Sequence, residues 1–125
     1  MAKPLTPETG NFEAVNTYAI WVNLAPGAKD LELVAAVNAY LGALQHEGTV
    51  ESWSVQRRQF GFGPSELGEF MIQIRTQNLT QLEAAFTHAA RRSGEMERLH
   101  VEVYSRVQDF RSGLYRDFPD AVRVS

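Results

Sequence analysis

The chain contains no cysteine. That absence excludes a disulfide framework, thiolate metal ligands and a cysteine nucleophile, and it fits a reducing compartment. Long apolar runs are missing too. No stretch approaches the roughly 20 residues needed to span a bilayer. The start, Met1-Ala2-Lys3-Pro4-Leu5, lacks the apolar core of a secretory signal. The expected location is the cytoplasm. Nor is there an excess of basic charge, since 12 Lys+Arg face 15 Asp+Glu, for a net charge of −3. The basic residues are scattered, with Arg57-Arg58 and Arg91-Arg92 only pairs, whereas nucleic-acid binders present a basic stripe to the phosphates. Neither nucleic acid nor a membrane is therefore an expected partner.

What remains is the composition of a folded domain. Apolar content of 44% and charged content of 22% argue against disorder. At 125 residues the chain suits one domain, large enough to bury about two thirds of its unfolded surface.

Residues 1–15 carry prolines and a glycine but no periodicity, and read as a tail. The segment 17–24 (TYAIWVNL) reads as a first strand, bounded by Pro26-Gly27. Tyr18, Ile20, Val22 and Leu24 fall on one face; Thr17, Ala19, Trp21 and Asn23 fall on the other. A helix follows Asp30, its expected N-cap, with Leu33, Val37, Leu41 and Leu44 as its apolar stripe, Val34 and Tyr40 widening it, and Gly48 as its stop. Strands are expected over 50–59 and 69–76, separated by Phe60-Gly61-Phe62-Gly63-Pro64. A second helix is expected from Asn78 or Thr80, each with capping-box spacing. Its stripe is Leu79, Leu82, Ala85, Phe86 and Ala89, and Gly94 closes it. Alternation of Leu99, Val101 and Val103 with His100, Glu102 and Tyr104 suggests a fourth strand over 99–107. Phe110, Leu114 and Phe118 suggest a short helix in the extension 109–125.

The order β-α-β-β-α-β is the ferredoxin-like α+β arrangement, with the domain expected over 16–108. Right-handed crossovers predict the spatial order 4-1-3-2 in an antiparallel sheet, with both helices on one face. The more apolar face lies under the helices: Ile20, Val22, Trp53, Val55, Phe70, Ile72, Ile74, Val101 and Val103. The other face mixes polar and aromatic groups. Aligning strand ends places Trp21, Glu102, Gln73 and Gln56 in one row. Asn23, His100, Met71 and Arg58 form the row above; Ala19, Tyr104, Arg75 and Ser54 form the row below.

This pattern, over 18–107, resembles the dimeric α+β barrel superfamily, and within it the bacterial members of unassigned reaction. The resemblance implies a homodimer in which two ferredoxin-like chains pair through their open sheet faces. Members include cofactor-free monooxygenases of aromatic polyketides and quinols, haem-degrading enzymes and muconolactone isomerase-like proteins. Some use an asparagine of the first strand with tryptophan or histidine elsewhere. It thus implies a catalytic set of His100, Asn23 and Trp21, and the polar face itself offers Arg58, Gln73, Arg75, Glu102 and Tyr104 to bind a small, flat organic molecule. No cofactor and no metal are expected. A shared fold does not carry a reaction with it, so a non-catalytic binding or assembly module stands beside the enzyme.

Other chemistries lack their residues. RNA-recognition domains share this element order, but their third strand offers stacking aromatics, where Glu69 and Met71 stand here. His46, His88 and the pair His100 and Glu102 do not make the three or four ligands of a stable metal site. Gly61-Phe62-Gly63 opens no helix with a third glycine, so it is no dinucleotide fingerprint. Neither Ser65 nor Ser112 has the flanking glycines of a nucleophile elbow.

Overall fold

The computed structural model describes residues 15–90 and 94–119. Residues 1–14 of the tail expected over 1–15, the Arg91-Arg92 pair and residues 120–125 lie outside the described residues. The elements are β1 (Asn16–Leu24), α1 (Asp30–His46), β2 (Ser52–Arg57), β3 (Phe70–Thr76), α2 (Leu79–Ala89), α3 (Gly94–Tyr104) and β4 (Val107–Arg116). The strands form one antiparallel sheet in the order β2-β3-β1-β4. That is the ferredoxin-like order expected, with three helices rather than two on the covered face.

Apolar spacing builds the core. Leu33, Val37, Tyr40, Leu41 and Leu44 of α1 meet Val22, Phe70, Ile72 and Ile74 of the sheet, with Ala85 of α2. Tyr18, Ile20, Trp53, Val55 and Val107 pack around them. Trp53 Nε1 donates to Asn38 Oδ1 at 2.9 Å, tying edge strand β2 to α1. The expected stops and starts are partly as drawn. Gly48 has φ +84°, the left-handed stop after α1. Asn78 caps α2, its side chain accepting from Gln81 N at 2.8 Å. Asp30 is the first residue of α1 rather than its cap.

Two expected elements are corrected. Residues 94–104 form α3, where the fourth strand was expected to begin at Leu99. Met96, Leu99, His100 and Val103 recur at helical spacing, and Met96, Leu99 and Val103 pack on the core. Glu95–Arg98 and Glu102–Arg106 pair at i,i+3 and i,i+4, contacts that only a helix brings together. The fourth strand is β4, where a terminal helix was expected from Phe110 and Leu114. Val101 and Val103 thus belong to a helix above the sheet, and β4 supplies Val107 in their place.

The rows of the open face also change. They are Gln56–Met71–Trp21–Arg111, Ser54–Gln73–Ala19–Gly113 and Ser52–Arg75–Thr17–Tyr115. β3 lies two residues along from the expected register against both neighbours, while β4 replaces His100, Glu102 and Tyr104 altogether. A shift of two keeps every side chain of β1, β2 and β3 on its expected face. A bulge between Trp21 and Asn23 offsets β1 from β4, and Asp109 sits in it with φ +59°. No helix among the described residues is long and apolar enough to cross a membrane.

Candidate functional site

The residues expected to share one site are divided between the two faces of the sheet. On the open face, the β2–β3 loop folds over the sheet end and encloses a groove of about 360 Å³, which Trp21, Gln56, Met71, Phe62 and Pro64 help to line. Its two arginines are engaged: Arg57 pairs with Asp30 at 2.9 Å and Glu69 at 2.7 Å, and Arg58 donates to the carbonyl oxygens of Pro64, at 2.7 Å, and of Leu67. Asn23 is used at both ends of its amide, accepting from Glu69 N at 2.8 Å and donating to Asp109 Oδ2 at 3.0 Å. Arg75 donates to Thr17 Oγ1 and to both carboxylate oxygens of Asp117, at 3.0 and 2.9 Å. Gln73 makes a long contact, 3.9 Å, to the Met71 sulfur. Arg58, Asn23 and Arg75 therefore hold the loop, the bulge and the end of β4.

His100 and Tyr104 lie elsewhere. They project from α3 towards the covered face, where two adjoining hollows of about 120 and 290 Å³ run between sheet and helices. Both hollows are lined by Ile20, Tyr40, Leu41, Ile74, His100 and Phe110. The imidazole of His100 stacks on the Tyr40 ring, centroids 5.1 Å apart and planes at 19°. It meets Tyr104 edge-on at 5.0 Å. Phe86 stands edge-on to Tyr18 at 5.3 Å along the larger hollow. Phe86 and Phe110, each about half exposed, stand at the mouth of the larger hollow, and Tyr104, equally exposed, at that of the smaller. No Asp, Glu, Lys or Arg lines either hollow. Apolar walls with a few converging polar groups are the usual make-up of a small-molecule pocket. Glu102 is not part of it: its carboxylate pairs with Arg106 at 2.6 Å, beside Glu32 and Ala36 of α1.

Tyr40, Phe86 and Phe110 were not expected in a site. Tyr40 is the one residue of the α1 stripe with a polar tip, the only signal it gave. Burial, and after it the negative charge of Glu97, push its hydroxyl up to about 12. The phenol is thus a donor across the neutral range. A raised value favours the protonated form in the folded state. That contribution is complete below pH 10, the ordinary value, and is lost as pH rises towards 12. Tyr40→Phe is expected to remove about 2–3 kcal/mol of the stability loss in that window. Urea titrations at stepped alkaline pH measure it, and an unchanged alkaline slope contradicts the assignment.

Among the described residues, no group of three or more His, Cys, Asp or Glu is placed to hold a metal ion. His88 Nδ1 lies 3.9 Å from a Glu47 oxygen, away from His100.

The sequence profile of DUF6614, a family of unknown function, matches residues 15–125. The chain belongs to that family. No curated protein matches the chain. Solved structures share the fold of this DUF6614 member. One is a dimeric protein of unknown function with a ferredoxin-like fold from Bacteroides fragilis (TM-score 0.51, 11% identity, 84% of this chain and 98% of that one). Another is SnoaB, a cofactor-independent oxygenase from Streptomyces nogalater (TM-score 0.63, 6% identity, 86% and 100%). A third is PA3566 from Pseudomonas aeruginosa (TM-score 0.58, 13% identity, 85% and 96%). At these identities the likeness concerns the fold alone, the ferredoxin-like one.

Proposed function

We propose that this DUF6614 protein is a homodimer paired through its open sheet faces, and that each protomer binds a small, flat, uncharged organic molecule between sheet and helices. The observation that carries the binding reading is the Tyr40–His100–Tyr104 cluster beside hollows without a charged side chain. Aromatic faces and edges take a planar ligand. His100 and the Tyr40 hydroxyl offer polar contacts at one side. An anion would be desolvated there with no cation to meet it, which costs several kcal/mol. Pairing is supported by the dimeric neighbour of the same fold and by an open face whose central row, Ser54–Gln73–Ala19–Gly113, is uncharged.

Thermal denaturation with naphthol and, in parallel, naphthoate tests the binding. Naphthol at about 100 times its dissociation constant is expected to add about 2.7 kcal/mol, seen as a rise of several degrees in Tm. Naphthoate is expected to add much less, and His100→Ala to lose most of the naphthol effect. Equal stabilisation of wild type and His100→Ala would remove His100 from the site.

A catalytic reading rests on the same imidazole. A histidine stacked at an apolar pocket suits proton abstraction from a bound hydroxyl, and with dioxygen as co-substrate the chemistry would be a cofactor-free oxygenation. The fold of SnoaB, a cofactor-independent oxygenase, is compatible with it. Oxygen uptake dependent on a bound phenol, abolished in His100→Ala, would establish it; ligand stabilisation without uptake leaves binding alone.

A further inference from the structure

We propose that the aromatic tip of the β2–β3 loop, Phe60 and Phe62, is the part of the dimer interface that the sheet lacks, and that it caps the far end of the open face of a second copy. The inference rests on the open-face pairing proposed above and names the residues that complete it.

Phe60 and Phe62 are 80% and 77% exposed, their rings edge-on at 6.3 Å. They are held, not loose. Arg58 binds the carbonyls of Pro64 and Leu67, and Arg111 Nε donates to Glu66 O at 2.9 Å. Phe60 has φ +62°, a conformation that bulky residues adopt at a cost and keep where the surroundings impose it. Segment 59–68 (QFGFGPSELG) carries Glu66 as its single charge. A fixed, nearly uncharged loop tip with two phenylalanines has the make-up of an interface core.

The area of the sheet selects a second copy as occupant. Four strands about 4.8 Å apart and about eight residues long span roughly 500 Å². A stable pair buries about 800 Å² on each side, so groups outside the sheet must contribute. Phe62 lines the open-face groove with Trp21 and Met71, so the loop forms a rim at that end. A two-fold axis running along the strands would set the two rims against each other. An axis across the strands sets each rim over the opposite end of the other sheet, the Thr17–Arg75–Tyr115 row. Tyr115 is 58% exposed there and supplies an aromatic partner.

Sedimentation equilibrium over a dilution series compares wild type, Phe60→Ser/Phe62→Ser and Gln73→Lys. The loop variant is expected to raise the dimer dissociation constant by about 100-fold, with an unchanged circular dichroism spectrum. Gln73→Lys, which sets like charges across the axis, is expected to abolish the dimer. A photo-cross-linking residue in place of Phe62 is expected to join to Tyr115 or its neighbours in a second copy, independently of the stability of the serine variant. A loop variant as tightly dimeric as wild type, beside a monomeric Gln73→Lys, overturns the loop's role and leaves the sheet pairing standing. A Gln73→Lys variant that stays dimeric overturns the sheet pairing, and with it this inference. A monomeric wild type overturns both, as does loop-dependent capture of the monomer by phosphatidylcholine vesicles.

Discussion

Leu33→Ala is expected to destabilise the fold by about 3–4 kcal/mol. Leu33 is 0% exposed and stands in the first turns of α1, where the core cluster of helix and sheet residues surrounds it. Truncation removes the transfer free energy of the buried carbons and leaves a cavity that the sheet, fixed by its ladders, fills only in part. Helix propensity does not offset this, because Leu and Ala differ little in a helix interior. The neighbouring Leu31 is 79% exposed, so Leu31→Ala should stay within about 0.5 kcal/mol. Urea unfolding of the two variants measures the contrast. Equal losses would mean that α1 is not seated on the sheet through Leu33.

Gly68→Ala is the second large effect, about 3 kcal/mol. A Cβ at Gly68 would lie inside the backbone of Val22, and main chain cannot yield as a flexible side chain can. The start of β3 would have to move away from β1. Two hydrogen bonds next to it would suffer: Glu69 N to Asn23 Oδ1 at 2.8 Å, and Arg58 N to Glu69 O at 2.7 Å. The loop that carries Phe60 and Phe62 leaves the sheet at this point. Gly61→Ala is the control: it has open space but φ +72°, so only the backbone term of about 1 kcal/mol applies. A Gly68→Ala variant no less stable than Gly61→Ala would contradict the close approach.

The contrast between well-read and misread parts of the sequence has a physical basis. β1 and β3 sit in the middle of the sheet, buried on the helix side, so Ile20, Val22, Phe70, Ile72 and Ile74 had to alternate with residues of the open face. That alternation, with the helix stripes between, was enough for the strand order. β4 is an edge strand whose residues are almost all exposed. No burial forces alternation on it, and the bulge at Asp109 breaks the period. Its Phe110 and Leu114 happen to fall at i,i+4, and so they imitated a helix. In α3, Leu99, Val101 and Val103 imitated a strand, while Met96 and the Glu–Arg pairs carried the helical spacing. That one exchange moved the side chains expected to share a site. His100 and Tyr104 were expected on the open face and stand instead on α3, against the covered face. Tyr40, read as core, turned out to be the ring on which His100 stacks. Asn23 and Arg58 kept their expected face, yet their hydrogen bonds go to backbone and a bulge carboxylate.

The decisive property is therefore which side of the sheet holds a ligand. Titration of isotope-labelled protein with naphthol, followed in proton–nitrogen and aromatic correlation spectra, decides it. The expected result is large shifts for the His100 and Tyr40 rings and for the Phe86 and Phe110 backbone, with the Trp21 indole unmoved. Shifts centred on Trp21, Met71 and the β2–β3 loop, with His100 and Tyr40 unmoved, would contradict the pocket between sheet and helices.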